Sequence, residues 1–485
     1  MENSTFYDRK QEFKLLKEEF ANLQSGKMFV VYGRRRVGKT ELIRQFIKSL
    51  PENKLYFYVD LVEKQGILDS LSKTVQEQLG EVRAFADFSD FLDFIAGKSD
   101  TAFVLVIDEF QRFLEISPQF ITELQNYWDQ KLKNKKLMLI LVGSSIGMIQ
   151  KITNSKAGAL YGRAARIKIA PFKYSDFRLM FKELNEEEKI ITYAVFGGTP
   201  YYLEKAKRIG GNIHKKIHEL LLKKGAELFE EPKNLLEYEN VRIHAKYNSI
   251  LQAASAGKET IKEIHDFTGI DVNTMPAYIK RLDELLDLLG RKDPVLGKER
   301  LGRYGLKDNF FSFWYRFVFP NQTALNIGNS KLVEDEIKEN LNAYVGRVFE
   351  EICKELLITY INKEVDEYVL DFENIGAWWN RTGEEIDIVA YNHKSRKILV
   401  GEVKWTNAPV DIDVVDSLMK KSKLIPFTGE YKFIFISKNG FTEKAITRIK
   451  EIHGIFLSLK EIERMFDDHS YFSPKSRQQK RQNLL

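Results

Sequence analysis

The sequence predicts an α/β protein made of several domains, and three observations support this prediction. The chain has 485 residues, which is too long for one hydrophobic core at about 150 residues per domain. Strand and helix patterns alternate through roughly the first 170 residues, as in a domain with a mainly parallel sheet. A helix-rich middle follows, and a second alternation of strands and helices fills the last third. We therefore expect two α/β domains joined by helical units.

Net charge, cysteine content and the lengths of the apolar runs exclude several classes of protein. The formal net charge of +6 is a mild basic bias, which permits contact with nucleic acid without requiring it. Cys353 is the only cysteine, which excludes disulfides within the chain and cysteine-based metal sites. The first residues lack the apolar stretch of a signal peptide, and no run reaches the length of a membrane span. We expect a cytoplasmic protein without membrane contact.

One loop near the N-terminus has the pattern G-x-x-x-x-G-K-[ST]. An apolar run at 28–32 is typical of a buried strand entering the loop, and residues 41–50 have helical spacing after it. Two glycines let backbone N–H groups converge on phosphate oxygens, and the helix N-terminus adds its positive dipole end. The lysine would reach the β- and γ-phosphates, and the following hydroxyl would face Mg²⁺. The sequence predicts an ATP·Mg²⁺ site with contacts from Gly33, Arg36, Val37, Gly38, Lys39, Thr40 and Glu41.

About 70 residues on, a buried strand at 103–107 ends in two carboxylates, Asp108 and Glu109. In a P-loop enzyme the first carboxylate can hold Mg²⁺ through water, and the second can orient or deprotonate the attacking water. An apolar strand followed by a solvated acidic turn is the alternative. Together with the phosphate-binding loop, the two carboxylates predict ATP hydrolysis. Thr40 and Asp108 would be ligands of Mg²⁺, and Glu109 would be the catalytic residue.

Two further polar positions fit this chemistry less specifically. A third strand at 137–142 ends in Gly-Ser-Ser, where a polar side chain could sense the γ-phosphate, although this is also an ordinary turn. Arg163 could present its guanidinium to developing phosphate charge, within its own subunit or across a subunit contact. The alternative is a solvated loop arginine. Arg34, Arg35 and Arg36 fill variable loop positions, and solvated side chains at the surface are the plain alternative for them.

An ordered series of segments carries a family resemblance: residues 6–12, YGRRRVGKT, LVIDEFQRF, LVGSS, LYGR and FGGTPYYL. The series resembles the archaeal-type AAA-like ATPases near the STAND class of signalling NTPases, over about residues 1–240. The resemblance implies that the segment holding Arg9 lies near the adenine. It also implies that Pro200 faces the nucleotide from a helical lid, whereas the plain alternative is a helix stop and a turn.

The middle of the chain predicts a winged-helix domain. Three short helices are expected at 247–256, 261–268 and 273–289, the last capped by Asp271 or Asn273 with Pro276 in its first turn, before a turn-rich stretch at 290–306. Such a unit could read DNA, although acidic residues follow on the same helix and winged helices also serve as spacers or protein contacts. The aromatic run at 309–317 is expected to be core. The candidate reading face consists of Asn273, Thr274, Ala277, Lys280 and Arg281.

The C-terminal third predicts the order αβββαβ. A long helix is expected at 333–360; strands at 364–370, 385–391 and 397–405; then a helix at 413–424, a strand at 431–437, a helix at 442–452 and a strand at 455–459. Asp387 interrupts an apolar strand, while Glu402 and Lys404 share one face of the next strand. With Glu350 on the preceding helix, the carboxylates would bind Mg²⁺ or Mn²⁺ and Lys404 would act on the attacking water.

This constellation resembles the PD-(D/E)xK, restriction-endonuclease-like superfamily over about residues 331–460. Ile386 stands where a proline often precedes the aspartate, and Glu351 rivals Glu350 as the helix ligand. Copies that only bind or scaffold are the main alternative. The domains are then a P-loop ATPase core at 1–173, a helical lid at 174–240, a winged-helix domain at 241–330, a nuclease-like domain at 331–465 and a basic tail at 466–485.

Together these patterns predict an ATP-hydrolysing protein whose nucleotide state controls a DNA-directed, metal-dependent nuclease-like domain. A STAND-like switch, in which ATP gates protein partners and the C-terminal domain is inert, is the rival hypothesis. An ATP-driven translocase without nuclease activity is a third. A homo-oligomer or a protein partner is compatible with each.

Overall fold

The structure is a computed structural model that describes residues 9–50, 53–153, 158–238, 244–297, 301–366 and 368–467. Within them, five parallel strands form the N-terminal sheet in the order β2-β3-β4-β1-β5. The predicted parallel α/β fold is confirmed. The strands are β1 (Lys27–Tyr32), β2 (Lys54–Tyr58), β3 (Phe103–Asp108), β4 (Leu137–Gly143) and β5 (Ala164–Lys168).

Helices cover both faces of this sheet and enclose one apolar core on each. Strands β3 and β4 are buried along their whole length, as expected of central parallel strands. All five strands point the same way, so their carboxyl ends form one edge of the sheet. The helices are α1 (Lys10–Ala21), α2 (Lys39–Lys48), α3 (Lys64–Leu79), α4 (Phe88–Lys98), α5 (Phe113–Ile116), α6 (Pro118–Gln130) and α7 (Ile146–Thr153).

A group of helices lies at 174–238, where the sequence predicted a lid, and this group is called the lid from this point on. A capping box between Asn185 and Glu188 fixes the start of one of them, and Pro200 begins the next. A π-helical turn at His218–Leu222 interrupts the group. The helices are α8 (Tyr174–Met180), α9 (Glu186–Phe196), α10 (Pro200–Arg208), α11 (Ile213–Ile217) and α12 (Glu231–Tyr238).

Three helices and a two-stranded antiparallel hairpin occupy residues 244–306: α13 (His244–Ser255), α14 (Ile261–Thr268), α15 (Met275–Lys280), β6 (Leu289–Lys292) and β7 (Arg303–Leu306). The prediction for α14 is confirmed, because Thr260 and Glu263 form a capping box and Gly269 ends the helix at φ 68°. The helix predicted at 273–289 is present but shorter than predicted. It gives way to a π-helical turn at Arg281–Leu285, and Leu289 already belongs to β6.

The aromatic run forms core, as predicted. It folds as α16 (Asn309–Phe313) and a π-helical turn at Trp314–Val318, with its aromatic side chains fully buried. After α17 (Gln322–Asn326), the 30-residue helix α18 (Ser330–Thr359) crosses to the C-terminal domain. One continuous apolar cluster joins the lid, the hairpin unit and α18. These parts therefore share one hydrophobic core.

Among the described residues, the C-terminal sheet has the order β10-β11-β12-β13-β14, with the first two pairings antiparallel and the last two parallel. The sequence missed β10, whose glycine and asparagine weaken the strand pattern. The strand predicted at 364–370 is wrong: a small hairpin of β8 (Glu364–Val365) and β9 (Tyr368–Val369) stands there. The others are β10 (Asn374–Trp379), β11 (Glu385–Asn392), β12 (Lys397–Lys404), β13 (Glu430–Ser437) and β14 (Ile455–Ser458).

Three helices accompany this sheet: α19 (Ile412–Ser422), α20 (Glu443–Glu451) and α21 (Leu459–Asp467). Residues 6–8, which begin the family resemblance, and the predicted tail from residue 468 onward lie outside the described residues. No helix in the described ranges combines the length and apolar character needed to cross a bilayer.

Candidate nucleotide site and a second acidic site

The loop between β1 and α2 has the backbone that the phosphate-binding pattern requires. Gly38 lies at φ 92° immediately before α2, a conformation that side chains oppose. A Cβ atom on Gly33 would lie 2.2 Å from the carbonyl oxygen of Ile169, so only glycine fits there. The N-terminus of α2 begins directly after this loop, where backbone N–H groups precede the intrahelical hydrogen bonds. The loop therefore fits an anionic phosphate chain.

Lys39 is buried and folded over the loop. Its ammonium donates to the carbonyl oxygens of Gly33 at 2.9 Å and Arg34 at 2.7 Å. These bonds fix the side chain along the loop, where a phosphate would meet its positive charge. Glu41 occupies the first turn of α2 and accepts from Gln45 at 2.7 Å.

Asp108 ends β3 beside the loop. Its Oδ2 accepts from the hydroxyl of Thr40 at 3.1 Å and from that of Tyr56, on β2, at 2.7 Å. Burial raises the pKa of Tyr56, and the charge of Asp108 raises it further, so Tyr56 remains a donor. The adjacent hydroxyl and carboxylate suit Mg²⁺. The sequence pattern missed Tyr56 because an aromatic residue in a strand is ordinarily core.

Glu109 adopts a left-handed backbone conformation, at φ 57°, which is uncommon away from functional sites. Its carboxylate accepts from Ser144 at 2.9 Å, Gln111 at 2.6 Å and Tyr238 at 2.9 Å. Ser144 follows β4, so the structure does bring the predicted sensor position to the catalytic candidate. Gln111 and Tyr238 were missed, since neither belongs to a recognisable motif.

The plain alternative for the loop arginines, solvated side chains at the surface, does not hold for Arg34, which is buried, or for Arg36, which is half-buried, whereas Arg35 is exposed. Arg34 forms a buried ion pair with Asp308, at the start of α16. The guanidinium of Arg35 lies 4.3 Å from the ring centre of Tyr238. Arg36 pairs with Glu231 of α12 at 2.5 Å and stacks 4.0 Å from the ring centre of Tyr201. The loop is thus fastened to the lid and to α16.

Arg9 and Pro200 both lie at the loop. Arg9 is buried and donates to the carbonyl oxygens of Val37, at 3.2 Å, and Ala170. A Cβ atom on Gly38 would lie 3.8 Å from Cγ of Pro200. The structure therefore gathers the predicted nucleotide contacts at one place, and their individual roles remain predictions.

Arg163 is not brought to this site. It precedes β5, whose first residue pairs with Met28, so it lies at the amino-terminal edge of the sheet. The phosphate-binding loop lies at the opposite edge, roughly 20 Å away along the strand. The guanidinium there makes a bidentate pair with Asp129, at 2.9 and 2.6 Å. A role within its own subunit is inconsistent with this geometry, whereas a role across a subunit contact stays a prediction.

The second acidic site lies on β11 and β12 and faces α18. Asp387 Oδ2 accepts from the backbone N–H of Val403 at 2.8 Å. Lys404 Nζ lies 2.5 Å from Glu402 Oε1 and 4.0 Å from Asp387 Oδ2. The other oxygen of Glu402 is buried and has no hydrogen-bond partner.

Three carboxylates and one ammonium lie close together in this site, and they shift one another's pKa values. Burial raises the pKa of Glu350 to about 8, and the charge of Asp387 adds to the rise. Burial and the charge of Glu402 raise the pKa of Asp387 to about 6. Burial alone would lower the pKa of Lys404, but Glu402 and Asp387 raise it. The four groups therefore interact, and negative charge is in excess.

Glu351, the rival helix ligand, turns toward other cations and pairs with Lys292 at 2.8 Å and Lys354 at 3.3 Å. Among the residues that the structure describes, no three His, Cys, Asp or Glu side chains are already arranged as metal ligands. The ammonium of Lys404 lies between the carboxylates of β11 and β12 instead, at 2.5 Å from Glu402 and 4.0 Å from Asp387. The donor set, with one orphaned buried oxygen, fits Mg²⁺ or Mn²⁺ only after local rearrangement.

The hairpin β6–β7 docks on the C-terminal sheet. Val295 donates its backbone N–H to the carbonyl of Ala377 at 3.0 Å. Arg303 stacks 4.5 Å from the ring centre of Trp379 and pairs with Glu385 at 2.8 Å. The guanidinium of Arg303 is therefore engaged in the contact between the hairpin and the C-terminal sheet. On the candidate reading face, Asn273, Thr274, Ala277 and Lys280 are exposed, whereas Arg281 is half-buried.

Comparison with known proteins adds independent findings. A family described as "ATPase domain predominantly from Archaea" matches residues 6–206, and one described as "Archaea bacterial proteins of unknown function" matches residues 314–433. The Uncharacterized protein MJECL04 of Methanocaldococcus jannaschii is 34% identical over 438 residues, covering 89% of this chain and 95% of the relative. The Uncharacterized ATP-binding protein PYRAB09480 of Pyrococcus abyssi is 24% identical, covering 47% and 79%.

Two solved structures show the extent of structural similarity. The Walker-type ATPase paby2304 of Pyrococcus abyssi has a TM-score of 0.47 at 19% identity, covering 64% of this chain and 96% of its own. The ORC2 protein of Aeropyrum pernix, in its ADPNP–ADP complexes, has a TM-score of 0.43 at 13% identity, covering 70% and 99%.

Proposed function

The chain belongs to the family of the Methanocaldococcus jannaschii protein and carries an ATPase domain of the predominantly archaeal type, and from this premise we propose that it hydrolyses ATP to control a metal-dependent, DNA-directed nuclease site in its C-terminal domain. The observation that carries the proposal is the buried Arg34–Asp308 pair, because it joins the phosphate-binding loop directly to the segment that leads to the C-terminal domain. The proposed ATP hydrolysis is supported by the family to which the chain belongs. The proposed nuclease activity is supported by the acidic site in the C-terminal domain.

At the nucleotide site, the loop N–H groups and Lys39 hold the phosphate chain, while Thr40 and Asp108 hold Mg²⁺. Bound Mg²⁺ neutralises negative charge on the phosphates. Glu109, at the end of β3, orients the attacking water and accepts its proton. Arg9 and Pro200 border the nucleotide, one from α1 and one from the lid.

The route to the C-terminal domain consists of direct contacts. Asp308 accepts from the N–H of Phe311 at 3.1 Å and so caps α16. The hydroxyl of Tyr344, on α18, donates to the carbonyls of Asn309 at 2.8 Å and Ala194 at 3.1 Å. Helix α18 also carries Glu350. A shift of Arg34 when phosphate arrives would therefore reach the acidic site through one rigid helix.

At the acidic site, Asp387, Glu402 and Glu350 would hold Mg²⁺ or Mn²⁺, which would polarise the scissile phosphate of DNA. Lys404 donates hydrogen bonds to the attacking water and steadies it. The exposed face that begins at Asn273 supplies the DNA contact in this proposal.

The test is a nuclease assay on single-stranded, duplex and branched DNA with Mg²⁺ or Mn²⁺, with and without ATP. Wild type should cut at least one form, and Lys404→Ala should not. Lys397→Ala, at the other end of β12, is the matched control and should cut normally. Lys39→Ala should lose ATP hydrolysis and ATP-dependent control. Absence of cleavage by wild type on every form rejects the nuclease half.

A second candidate is an ATP-gated switch for protein partners with an inert C-terminal domain. The specific observation in its favour is the ammonium of Lys404, which lies 2.5 Å from Glu402 and fills the place where a metal would bind. Under this alternative, Mn²⁺ should leave the thermal midpoint unchanged, and Glu402→Gln should raise or preserve stability. Under the nuclease proposal, Mn²⁺ should stabilise wild type and not Glu402→Gln.

A further inference from the structure

Tyr238 joins the lid to the catalytic candidate of the ATPase core. It is the last residue of α12, and its hydroxyl lies 2.9 Å from Glu109 Oε2 and 3.1 Å from the hydroxyl oxygen of Ser144. Glu109 and Ser144 follow β3 and β4, whereas Tyr238 comes from α12, which also contacts the phosphate-binding loop through Arg36 and Glu231. This is a direct polar contact between the lid and Glu109.

Three neighbouring groups donate to the carboxylate of Glu109, and two of them, Gln111 and Tyr238, donate to Oε2. The single hydroxyl hydrogen of Ser144 lies within reach of both oxygens, 2.9 Å from each. The guanidinium Nε of Arg112 lies 3.8 Å from Oε2. An ionised carboxylate has about four lone-pair positions. An attacking water can therefore bind Glu109 Oε2 only by displacing one of these donors.

Tyr238 is the donor best placed to leave. Gln111 and Ser144 follow strands of the same rigid sheet as Glu109, so they keep their position relative to it. Tyr238 moves with α12, and that helix is tied to the phosphate-binding loop through Arg36 and Glu231. The Tyr238 ring also lies 4.3 Å from the guanidinium of Arg35. Its burial raises the pKa of the hydroxyl, which keeps it protonated as a donor.

We propose that Tyr238 is a positioning residue that holds Glu109 in a resting orientation with two donors on Oε2, and that its withdrawal with the lid frees Glu109 Oε2 to orient the attacking water. This rests on the proposed role of Glu109 in ATP hydrolysis. The phosphate-binding loop, through Arg35 and Arg36, is the element that registers the nucleotide and moves α12. Turnover is thereby linked to the position of the lid.

Tyr238→Phe removes one hydroxyl and keeps the ring against Arg35. We expect kcat for ATP hydrolysis to rise between about tenfold and a hundredfold, the scale of one hydrogen bond to a charged group, with KM for ATP within about twofold of wild type. Tyr238→Leu should change kcat in the same direction. Tyr127→Phe removes a hydroxyl from α6, remote from the site, and should leave both constants unchanged.

Glu109→Gln separates this inference from the function on which it rests. If that variant is inactive and Tyr238→Phe turns over at the wild-type rate or more slowly, the inference about Tyr238 fails and the role of Glu109 stands. If Glu109→Gln hydrolyses ATP normally, both fail. A change confined to KM would also reject the inference, because release of Glu109 must act on kcat.

Discussion

Arg34, in the phosphate-binding loop, and Asp308, 274 residues later in the chain, form an ion pair with side chains only 7% and 2% exposed. Thr199, which precedes Pro200, also reaches Asp308, at 3.4 Å. One carboxylate thus holds the loop, the lid and the N-terminus of α16 together. Removing one partner of such a pair leaves the other charge buried and uncompensated.

We predict that Asp308→Asn lowers the free energy of unfolding by roughly 3–5 kcal/mol, because Arg34 then lacks its counter-charge. The asparagine side chain can still cap α16, so the loss reports on the ion pair. Urea unfolding measures it. Asp293→Asn, which breaks a half-exposed pair with Arg291, is the control and should cost less than about 1 kcal/mol. Equal losses in the two variants would contradict the prediction.

For Arg163, we predict that Arg163→Ala leaves ATP hydrolysis unchanged at protein concentrations where the chain is monomeric. Its guanidinium pairs with Asp129 at the sheet edge opposite the phosphate-binding loop. ATPase rates over a dilution series, with light scattering to follow mass, provide the measurement. A role across a subunit contact would instead show loss only where wild type self-associates. Loss of monomer activity with unchanged stability would show that the arginine acts within its own subunit.

The sequence predicted the local arrangement of the phosphate-binding loop because its motif is contiguous. Gly38, Lys39 and Thr40 follow one another, and backbone geometry alone places them at the start of α2. Tyr56 and Tyr238 could not be predicted in the same way. Their roles depend on which strand lies beside β3 and where α12 packs, and no local pattern encodes either.

The same limit explains the wrong predictions. The buried positions of Arg34 and Arg36 could not be predicted because their partners, Asp308 and Glu231, are about 200 residues or more away in the chain. Arg163 was a candidate because of its residue type, and only the pairing of β5 with β1 shows at which sheet edge it lies. Strand β10 was missed because its burial comes from the docked hairpin rather than from its own alternation.

The docked hairpin yields another prediction. Arg303→Ala should loosen the hairpin, because it removes the stack on Trp379 and the pairs with Glu385 and Glu259. Amide hydrogen exchange at Val295, whose N–H bonds to β10, should become faster. Arg291→Ala, on the preceding strand, removes a guanidinium that pairs with Asp293 within the hairpin unit and serves as the control. Unchanged exchange in Arg303→Ala would show that the backbone pairing alone holds the hairpin.

Metal-free protein should lose stability as the pH rises from about 4.5 to about 8. Glu350 has an ordinary pKa of 4.5, which burial and the neighbouring Asp387 raise to about 8 in the folded chain. Between these values the folded state binds more protons than the unfolded state, so the free energy of unfolding decreases with pH. Asp387, with a pKa near 6, adds to the same trend over the lower part of the window.

Urea unfolding at pH 5, 6.5 and 8 in EDTA measures this slope. Glu350→Gln should flatten it, because the amide cannot ionise. Glu351→Gln should not, since the neighbouring lysines lower the pKa of that carboxylate despite its burial. A slope in Glu350→Gln as steep as in wild type would mean that another group binds the extra protons, and Glu350 would then not be the dominant buried acid of this site.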